Sequence, residues 1–479
     1  MDRKKLGLVV FAICTVLAES GCTSSGDKEA SQPPDTGVEA DSKVAKGDTA
    51  IPLSKRPPNV LIIQTDDQRP TGSLVTMPAT RRIFLDKGTR YTNAVATTPV
   101  CCPARTSLLT GQYTHNHGVI NNVDASPLRE RQEQTLQADL QRAGYQTAIV
   151  GKLLNSWSIG DRPEFFSRWA ITGGGYYGAL FDVDGTIVPV AEHSTDFMAE
   201  TASRFWVDFE KKDDSPWFVF INTFSPHPPS ITQPRHRDAP IPAWNPNPAV
   251  SEADLSDKPP FIQETSRFSV DRGARLRARQ LRSLMSVDDL VKQVFSKLTE
   301  LDETRDTLAI YVSDHGILWG DHGRLWKRTA YVPSTGIPML VRWPGHFPVE
   351  TREGLVANID LAPTILEAAG IDPRRTWPID GNSLFDGESR SEVLLEYWKE
   401  PGHGFRSWAA LRTEDWIYVE YLTKDRKGVV AREYYDLRAD PFQLTNLFRD
   451  GIADNDPDAK ELHRRLAEAV TCRGDNCPE

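Results

Sequence analysis

The stretch Asn59-Val60-Leu61-Ile62-Ile63-Gln64-Thr65-Asp66-Asp67 decides how the chain folds. From Asn59 to Thr65 it is an apolar run of strand length, as expected of a strand covered on both faces in a parallel sheet. It ends in two adjacent carboxylates, just past the carboxyl end of the strand, where open α/β sheets keep their ligands. Neighbouring strand residues point to opposite faces, so Asp66 and Asp67 reach one ion only if the chain turns there. Standing alone, such a pair is read as a helix cap or a solvated turn.

Three further apolar runs end in the same manner. Thr147 to Val150 leads into Gly151-Lys152, Pro216 to Asn222 leads into Ser225-Pro226-His227, and Thr307 to Ser313 leads into Asp314-His315-Gly316. Four buried strands thus deliver Asp66, Asp67, Lys152, His227, Asp314 and His315 to one edge of a sheet. Helix-like stretches at Gln134 to Ala143, Thr195 to Lys211 and Arg275 to Leu301 lie between them. This alternation predicts an α/β fold, a large mostly parallel sheet flanked by helices. Pro228 to Ser266, crowded with Pro, Asp and polar residues, reads as a long surface loop near the mouth. After about Asp386 come shorter strands, Ser407 to Arg412 and Trp416 to Tyr421, and a helix from about Asp458 to Val470. They predict a smaller C-terminal antiparallel sheet with a helix.

Pro99-Val100-Cys101-Cys102-Pro103-Ala104-Arg105-Thr106-Ser107-Leu108-Leu109-Thr110-Gly111 reads as a cysteine at a helix start, with Pro103 at the first helical position. The free N–H groups and positive dipole end there favour an anion, with Arg105 one turn further in. Cys101-x-Pro103-x-Arg105 followed by Leu109-Thr110-Gly111 resembles the signature of the sulfatase family, within the alkaline phosphatase superfamily. The cysteine segment, Tyr113-Thr114-His115-Asn116-His117 and Asn155 are most similar to the N-acetylglucosamine-6-sulfatase branch.

That resemblance covers about Pro58 to Leu447 and implies an alkaline-phosphatase-like sheet and hydrolysis of sulfate esters. It implies that Cys101 is converted to formylglycine, whose hydrated aldehyde is the nucleophile, by a formylglycine-generating enzyme. Asp66, Asp67, Asp314 and His315 resemble the metal ligands, with residue 101 completing the set. Hard carboxylate oxygens suit Ca2+, and Mg2+ is disfavoured where so many protein ligands converge, although relatives often carry Asn where His315 stands. Arg105, Lys152 and Lys327 take the role of neutralising charge on the sulfuryl group, His227 that of protonating the leaving alcohol, and Asn155 that of binding substrate. The expected substrate is a sulfated small molecule or glycan, such as a 6-O-sulfated amino sugar.

The chain departs from the family pattern at several positions. Ala104 stands for Ser, Leu154 for a histidine, and Tyr331-Val332-Pro333-Ser334 where acidic residues are frequent. Leu154 leaves the base of the second half-reaction open, with His115 and His117 as candidates. A phosphoester hydrolase of the same superfamily and a catalytically dead glycan-binding lipoprotein are the alternatives.

At 39% hydrophobic and 25% charged residues the composition is that of a globular protein. The net charge of −10 argues against nucleic-acid binding. Residues 1–21 read as an export signal, a basic start followed by a short apolar core. Cys22 reads as a lipid-carrying N-terminus and residues 22–57 as a flexible tether too poor in large apolar residues to form a core. The expectation is an exported, membrane-anchored lipoprotein of a bacterial envelope, with secreted or periplasmic protein as the rival given Glu19. In such a compartment Cys472 and Cys477 are close enough across Arg473-Gly474-Asp475-Asn476 to form a disulfide. The expected domains are residues 58–385, catalytic, and residues 386–479, a C-terminal α+β subdomain.

Overall fold

Asn59–Thr65 forms the central strand β1, and every residue in it is buried. The computed structural model describes residues 57–478, apart from 213, 265, 266, 374, 386, 388, 401 and 403. The export signal, Cys22 and the tether up to residue 56 lie outside the described residues. In chain order the other strands are β2 (Thr89–Val95), β3 (Gln146–Lys152), β4 (Arg168–Thr172), β5 (Ala179–Val183), β6 (Thr186–Val190), β7 (Trp217–Asn222) and β8 (Thr307–Ser313). They continue with β9 (Leu318–Trp319), β10 (Leu325–Trp326), β11 (Met339–Arg342), β12 (Glu350–Ala357), β13 (Val393–Tyr397), β14 (Trp408–Arg412), β15 (Trp416–Leu422) and β16 (Val429–Asp436).

A ten-stranded sheet has the order β12-β2-β11-β8-β1-β7-β3-β4-β5-β6. Its centre is parallel, with β1 between β7 and β8 and β3 beyond β7. β11 and the β5–β6 ribbon run antiparallel. A separate four-stranded antiparallel sheet has the order β13-β14-β15-β16. Strands β2, β4 to β6 and β12 are not legible as separate apolar runs, because their residues are mixed in polarity and partly exposed.

The principal helices are α1 (Cys101–Thr110), α2 (Leu136–Arg142), α3 (Ser194–Phe209), α4 (Val270–Glu300), α5 (Leu361–Ala368) and α6 (Ala459–Ala469). Alternation along β1 explains how both faces are covered. Val60 and Ile62 pack with Leu108, Leu136 and Ile365 from α1, α2 and α5. Leu61 and Ile63 pack with Trp206 and Leu284 from α3 and α4 on the other face. Each such side chain contributes about 1.5–3 kcal/mol of burial. A third core joins Leu394, Ala410 and Val419 of the smaller sheet to Leu462 and Leu466 of α6, to Val95 and Val100 ahead of α1, and to Tyr113 just past its end.

Helix α4 begins five residues before the sequence expectation, where Ser269 caps it by accepting the Arg272 amide. Pro103 falls third in α1 rather than first, still within the turn whose amides have no intrahelical acceptor. Asp360 does not cap the helix that follows it. Its carboxylate accepts the Ala357 and Asn382 amides and pairs with Arg390. Cys472 and Cys477 are bridged, with their Cα atoms 4.8 Å apart.

Two local constraints hold the strand ends near α1. Gly151 in β3 has φ +109°, and a Cβ there would lie 2.0 Å from the Asn222 carbonyl oxygen. Only glycine fits that backbone and that approach. Behind α1, His117 is fully buried: its Nδ1 accepts the Val119 amide at 3.1 Å, so Nε2 carries the proton facing Ser107 Oγ at 3.0 Å. Burial pushes its pKa down to about 3.

Two outcomes are predicted. Gly151→Ala lowers the denaturant midpoint by the equivalent of about 2–4 kcal/mol, read in urea titrations. For His117 the unfolded chain takes up a proton near pH 6.5, which the folded chain refuses until about pH 3, so stability present above 6.5 is lost as pH falls. Between pH 7 and 4.5 the wild type therefore loses about 2 kcal/mol more than His117→Asn, measured as the difference in unfolding free energy.

Candidate active site

The carboxyl ends of β1, β3, β7 and β8 converge below the start of α1. At Asp67 the backbone enters the left-handed region, φ 67°, and this is the turn that brings both carboxylates to one side. Asp66 and Asp67 are buried, as are Asp314 and His315 at the end of β8. Oδ1 of Asp314 accepts the amides of Asp67 at 3.1 Å and His315 at 2.8 Å, locking the two strand ends together.

Buried carboxylates need counter-charges, and each has one. Arg105 donates from Nη2 to Asp66 Oδ2 at 3.2 Å and from Nε to Asp314 Oδ2 at 3.1 Å. Its Nη1 donates to the Lys152 carbonyl at 2.9 Å and to Asn222 Oδ1 at 3.1 Å. The Lys152 ammonium pairs with Asp66 Oδ2. Lys327 Nζ lies 2.6 Å from Asp67 Oδ1, 3.0 Å from Cys101 Sγ and 3.1 Å from His315 Nε2. Burial alone would raise both aspartates, but Lys152, His227 and Arg105 hold Asp66 well below the usual carboxylate range, and Lys327 and His227 hold Asp67 low. Both are ionised acceptors.

Cys101, the first residue of α1, has its Sγ 3.6 Å from Asp66 Oδ1. Burial, with the negative charge of Asp66, pushes its thiol up to about 11. As an unmodified thiol it is a poor nucleophile at neutral pH, because the thiolate is the reactive form. One ligand atom each from Asp66, Asp67, Cys101 and His315 lies within 4.8 Å of all the others, a set able to hold one metal ion. The donor chemistry fits a cation, since the Lys327 ammonium sits among three of these atoms. Asp314 adjoins the set, its oxygens taken up by Arg105 and the two amides.

A cavity of about 380 Å3 opens over this cluster, lined by Asp67, Cys101, Asn155, His227 and Lys327 among others. His227 Nδ1 donates to the Pro228 carbonyl at 2.6 Å, and its Nε2 stands 3.8 Å from Asp67 Oδ2. The Asn155 amide donates to Cys102 Sγ at 3.0 Å. Arg105 and Lys152 do not line the cavity but stand behind it on the carboxylates. His115 is spent on Glu396 and the Cys472 carbonyl, and His117 on Ser107, so neither lines the cavity.

Sequence reasoning missed Asn222, Asn122, Glu400, Trp326 and Arg328. Asn222 ends β7 and was findable by the same strand-end rule that found Lys152. Trp326 and Arg328 flank Lys327 directly. Asn122 accepts the Cys102 amide and its own amide donates to Glu400, which pairs with Arg328. No strand end or motif marks Asn122 or Glu400.

Comparison with known proteins agrees with this geometry. A family profile described as Sulfatase matches residues 58–371, and one described as N-sulphoglucosamine sulphohydrolase, C-terminal, matches residues 320–471. The chain is 30% identical over 493 residues to the N-acetylglucosamine-6-sulfatase of Homo sapiens, spanning 89% of this chain and 87% of the relative. It is 25% identical over 507 residues to an N-acetylglucosamine-6-O-sulfatase of Bacteroides thetaiotaomicron, spanning 88% of each. A solved structure of a protein in complex with its substrate D-glucosamine-2-N,6-O-disulfate shares the fold. Its TM-score is 0.69 at 24% identity, over 86% of this chain and 97% of that one. The chain thus belongs to the sulfatase family and is a sulfuric ester hydrolase.

Proposed function

We propose that the cavity above Cys101 hydrolyses sulfate esters of glycans, with 6-O-sulfated amino sugars as the substrate class. The observation that carries this is the buried set of Asp66, Asp67, His315 and Cys101 ligand atoms within 4.8 Å, with Lys327 among them. The sugar preference rests on the relatives named N-acetylglucosamine-6-sulfatase, one of which spans 89% of this chain.

Asp66, Asp67 and His315 would hold a divalent cation, Ca2+ in preference to Mg2+, because several protein ligands converge there and Mg2+ keeps most of its waters. Together with formylglycine formed from Cys101 it supplies a Lewis acid and an activated hydroxyl nucleophile. The chain's own residues do the rest. Lys327, beside Cys101, meets the charge growing on the sulfuryl oxygens. Arg105 and Lys152 act as positioning residues, holding Asp66 ionised, and Arg105 also fixes the Asp314 carboxylate. His227 donates through Nδ1 to the Pro228 carbonyl and, in its doubly protonated form, gives the Nε2 proton to the departing alcohol; burial lowers its pKa, and the carboxylates of Asp67 and Asp66 oppose that shift. Asn155 lines the cavity where the sugar binds.

In this reading a formylglycine-generating enzyme matures Cys101, and the chain is exported with Cys22 as its lipid anchor. Among the described residues no helix is long and apolar enough to cross a membrane. Residues 58–385 form the catalytic domain and residues 386–479 a C-terminal subdomain.

Cys101→Ala is predicted to lower kcat on an aryl sulfate by about 10³-fold or more, the scale for loss of a nucleophile, with Tm within about 4 °C of wild type. Retention of wild-type kcat would remove the nucleophile from the scheme. Dialysis against a chelator is predicted to abolish sulfatase activity and lower Tm, with Ca2+ restoring both more fully than Mg2+. Parallel assays with aryl phosphate separate the phosphoester alternative, which predicts the higher kcat/KM on phosphate.

A further inference from the structure

Lys327 stands between two residues with left-handed backbone, Trp326 at φ 81° and Arg328 at φ 80°. For side chains of this size the conformation is costly, and such strain collects at functional sites. Its effect here is a division of labour. Lys327 enters the buried carboxylates, while Trp326 remains 38% exposed. Trp326 and Arg328 line the catalytic cavity and also line a second one, of about 260 Å3, so the two cavities adjoin at these residues.

The second cavity has a distinct chemistry. Phe261, Phe268, Phe405 and Tyr421 give it aromatic walls, and Arg324 and Arg406 give it charge. Among the described residues no acidic one lines it, although the chain carries a net charge of −10. Arg324 is buried at 7% exposure, and among the described residues no carboxylate pairs with it. Its Nη2 donates to the carbonyls of Phe261 and Ile262, and its Nε has no hydrogen-bond partner. Arg406 lies over the Phe261 ring, 5.2 Å from its centroid, and likewise pairs with no carboxylate among the described residues. Glu433 acts on Arg324 electrostatically, but its oxygens are taken by the hydroxyls of Tyr331, Tyr421 and Tyr435, so an anion entering the cavity would supply the direct partner that the guanidinium lacks among the described residues. Aromatic faces beside it suit the apolar face of a pyranose ring.

We propose that this second cavity is a subsite for the adjoining, anionic sugar of a glycan whose sulfated unit occupies the catalytic cavity. Arg324 and Arg406 meet its carboxylate or sulfate, and the aromatic walls carry its ring. This rests on the sulfate-ester reading above and narrows it from free amino sugars to sulfated units within an acidic chain.

The test compares three probes on the matured full-length enzyme. They are N-acetylglucosamine-6-sulfate, the same unit linked to a neutral hexose, and the same unit linked to a uronic acid. The uronic acid disaccharide is expected to show a kcat/KM at least about tenfold above the other two, the scale of one additional charge-assisted hydrogen bond to the substrate. Arg324→Gln and Phe405→Ala are each expected to collapse that ratio towards one. Because Arg324 also braces two carbonyls, Phe405→Ala serves as the variant less exposed to misfolding. Binding of the same probes to Cys101→Ala, read as Kd by calorimetry, is expected to follow the same order. Equal kcat/KM and equal Kd across the probes, unchanged in both variants, would overturn the subsite. If no probe were hydrolysed, the sulfate-ester reading would fail by itself, and the order of Kd values would still decide the subsite.

Discussion

Three carboxylates, Asp66, Asp67 and Asp314, lie buried side by side at the carboxyl edge of the sheet, and the molecule surrounds them with cations. Removing ionised groups from water is tolerable only with partners of opposite charge and good geometry. Those partners are Arg105, Lys152 and Lys327, three cations for three anions, each from a different element. Arg105 comes from α1, Lys152 from the end of β3, and Lys327 from the segment just after β10. Loss of Arg105 takes the guanidinium from Asp314 and loss of Lys327 takes the ammonium from Asp67, each at a cost of about 3–5 kcal/mol, whereas Asp66 has both Arg105 and Lys152. Electrostatic balance thus ties the motif helix to the strand ends.

The same balance places a set of cation-binding donors against the first residue of α1. Oxygens held ionised by Arg105 and Lys152 face Cys101, whose thiol is itself held neutral. The inner cations are spent on protein carboxylates, whereas Lys327 and His227 face the cavity. The site is therefore layered, with Arg105 and Lys152 behind the carboxylates and Lys327 and His227 on the cavity wall, where the proposed function places the reacting group. The left-handed residues beside Lys327 extend that wall towards a second cavity with positive charge and aromatic walls. An acidic protein can in this way hold an anionic substrate through local charge alone.

Much of this is legible in the sequence, for a physical reason. A strand buried on both faces must be apolar throughout, so β1, β3, β7 and β8 stand out, and the polar residues just past them mark the site. The motif helix is legible from Cys101 to Gly111, where Gly111 ends it with φ +70°. Edge strands such as β6 and β12 are not, because exposed positions carry no obligatory polarity. Propensity alone puts Pro103 first in its helix, but the chain enters the helix two residues earlier at Cys101. His115 and His117 are candidate bases by residue type, yet His115 is consumed by Glu396 and the Cys472 carbonyl and His117 by Ser107 of α1. The contribution of Asn122 and Glu400 to the cavity wall depends on tertiary contacts between segments far apart in the chain, which no local pattern encodes.

The central claim is that a cation and a modified Cys101 share this buried donor set. The most direct measurement is a crystal structure of natively matured protein grown with calcium, with anomalous data to identify the ion. An ion within about 2.3–2.6 Å of carboxylate oxygens from Asp66 and Asp67, with an aldehyde or its hydrate at residue 101, is the result predicted. A thiol at residue 101, with calcium bound elsewhere or not at all, would contradict it.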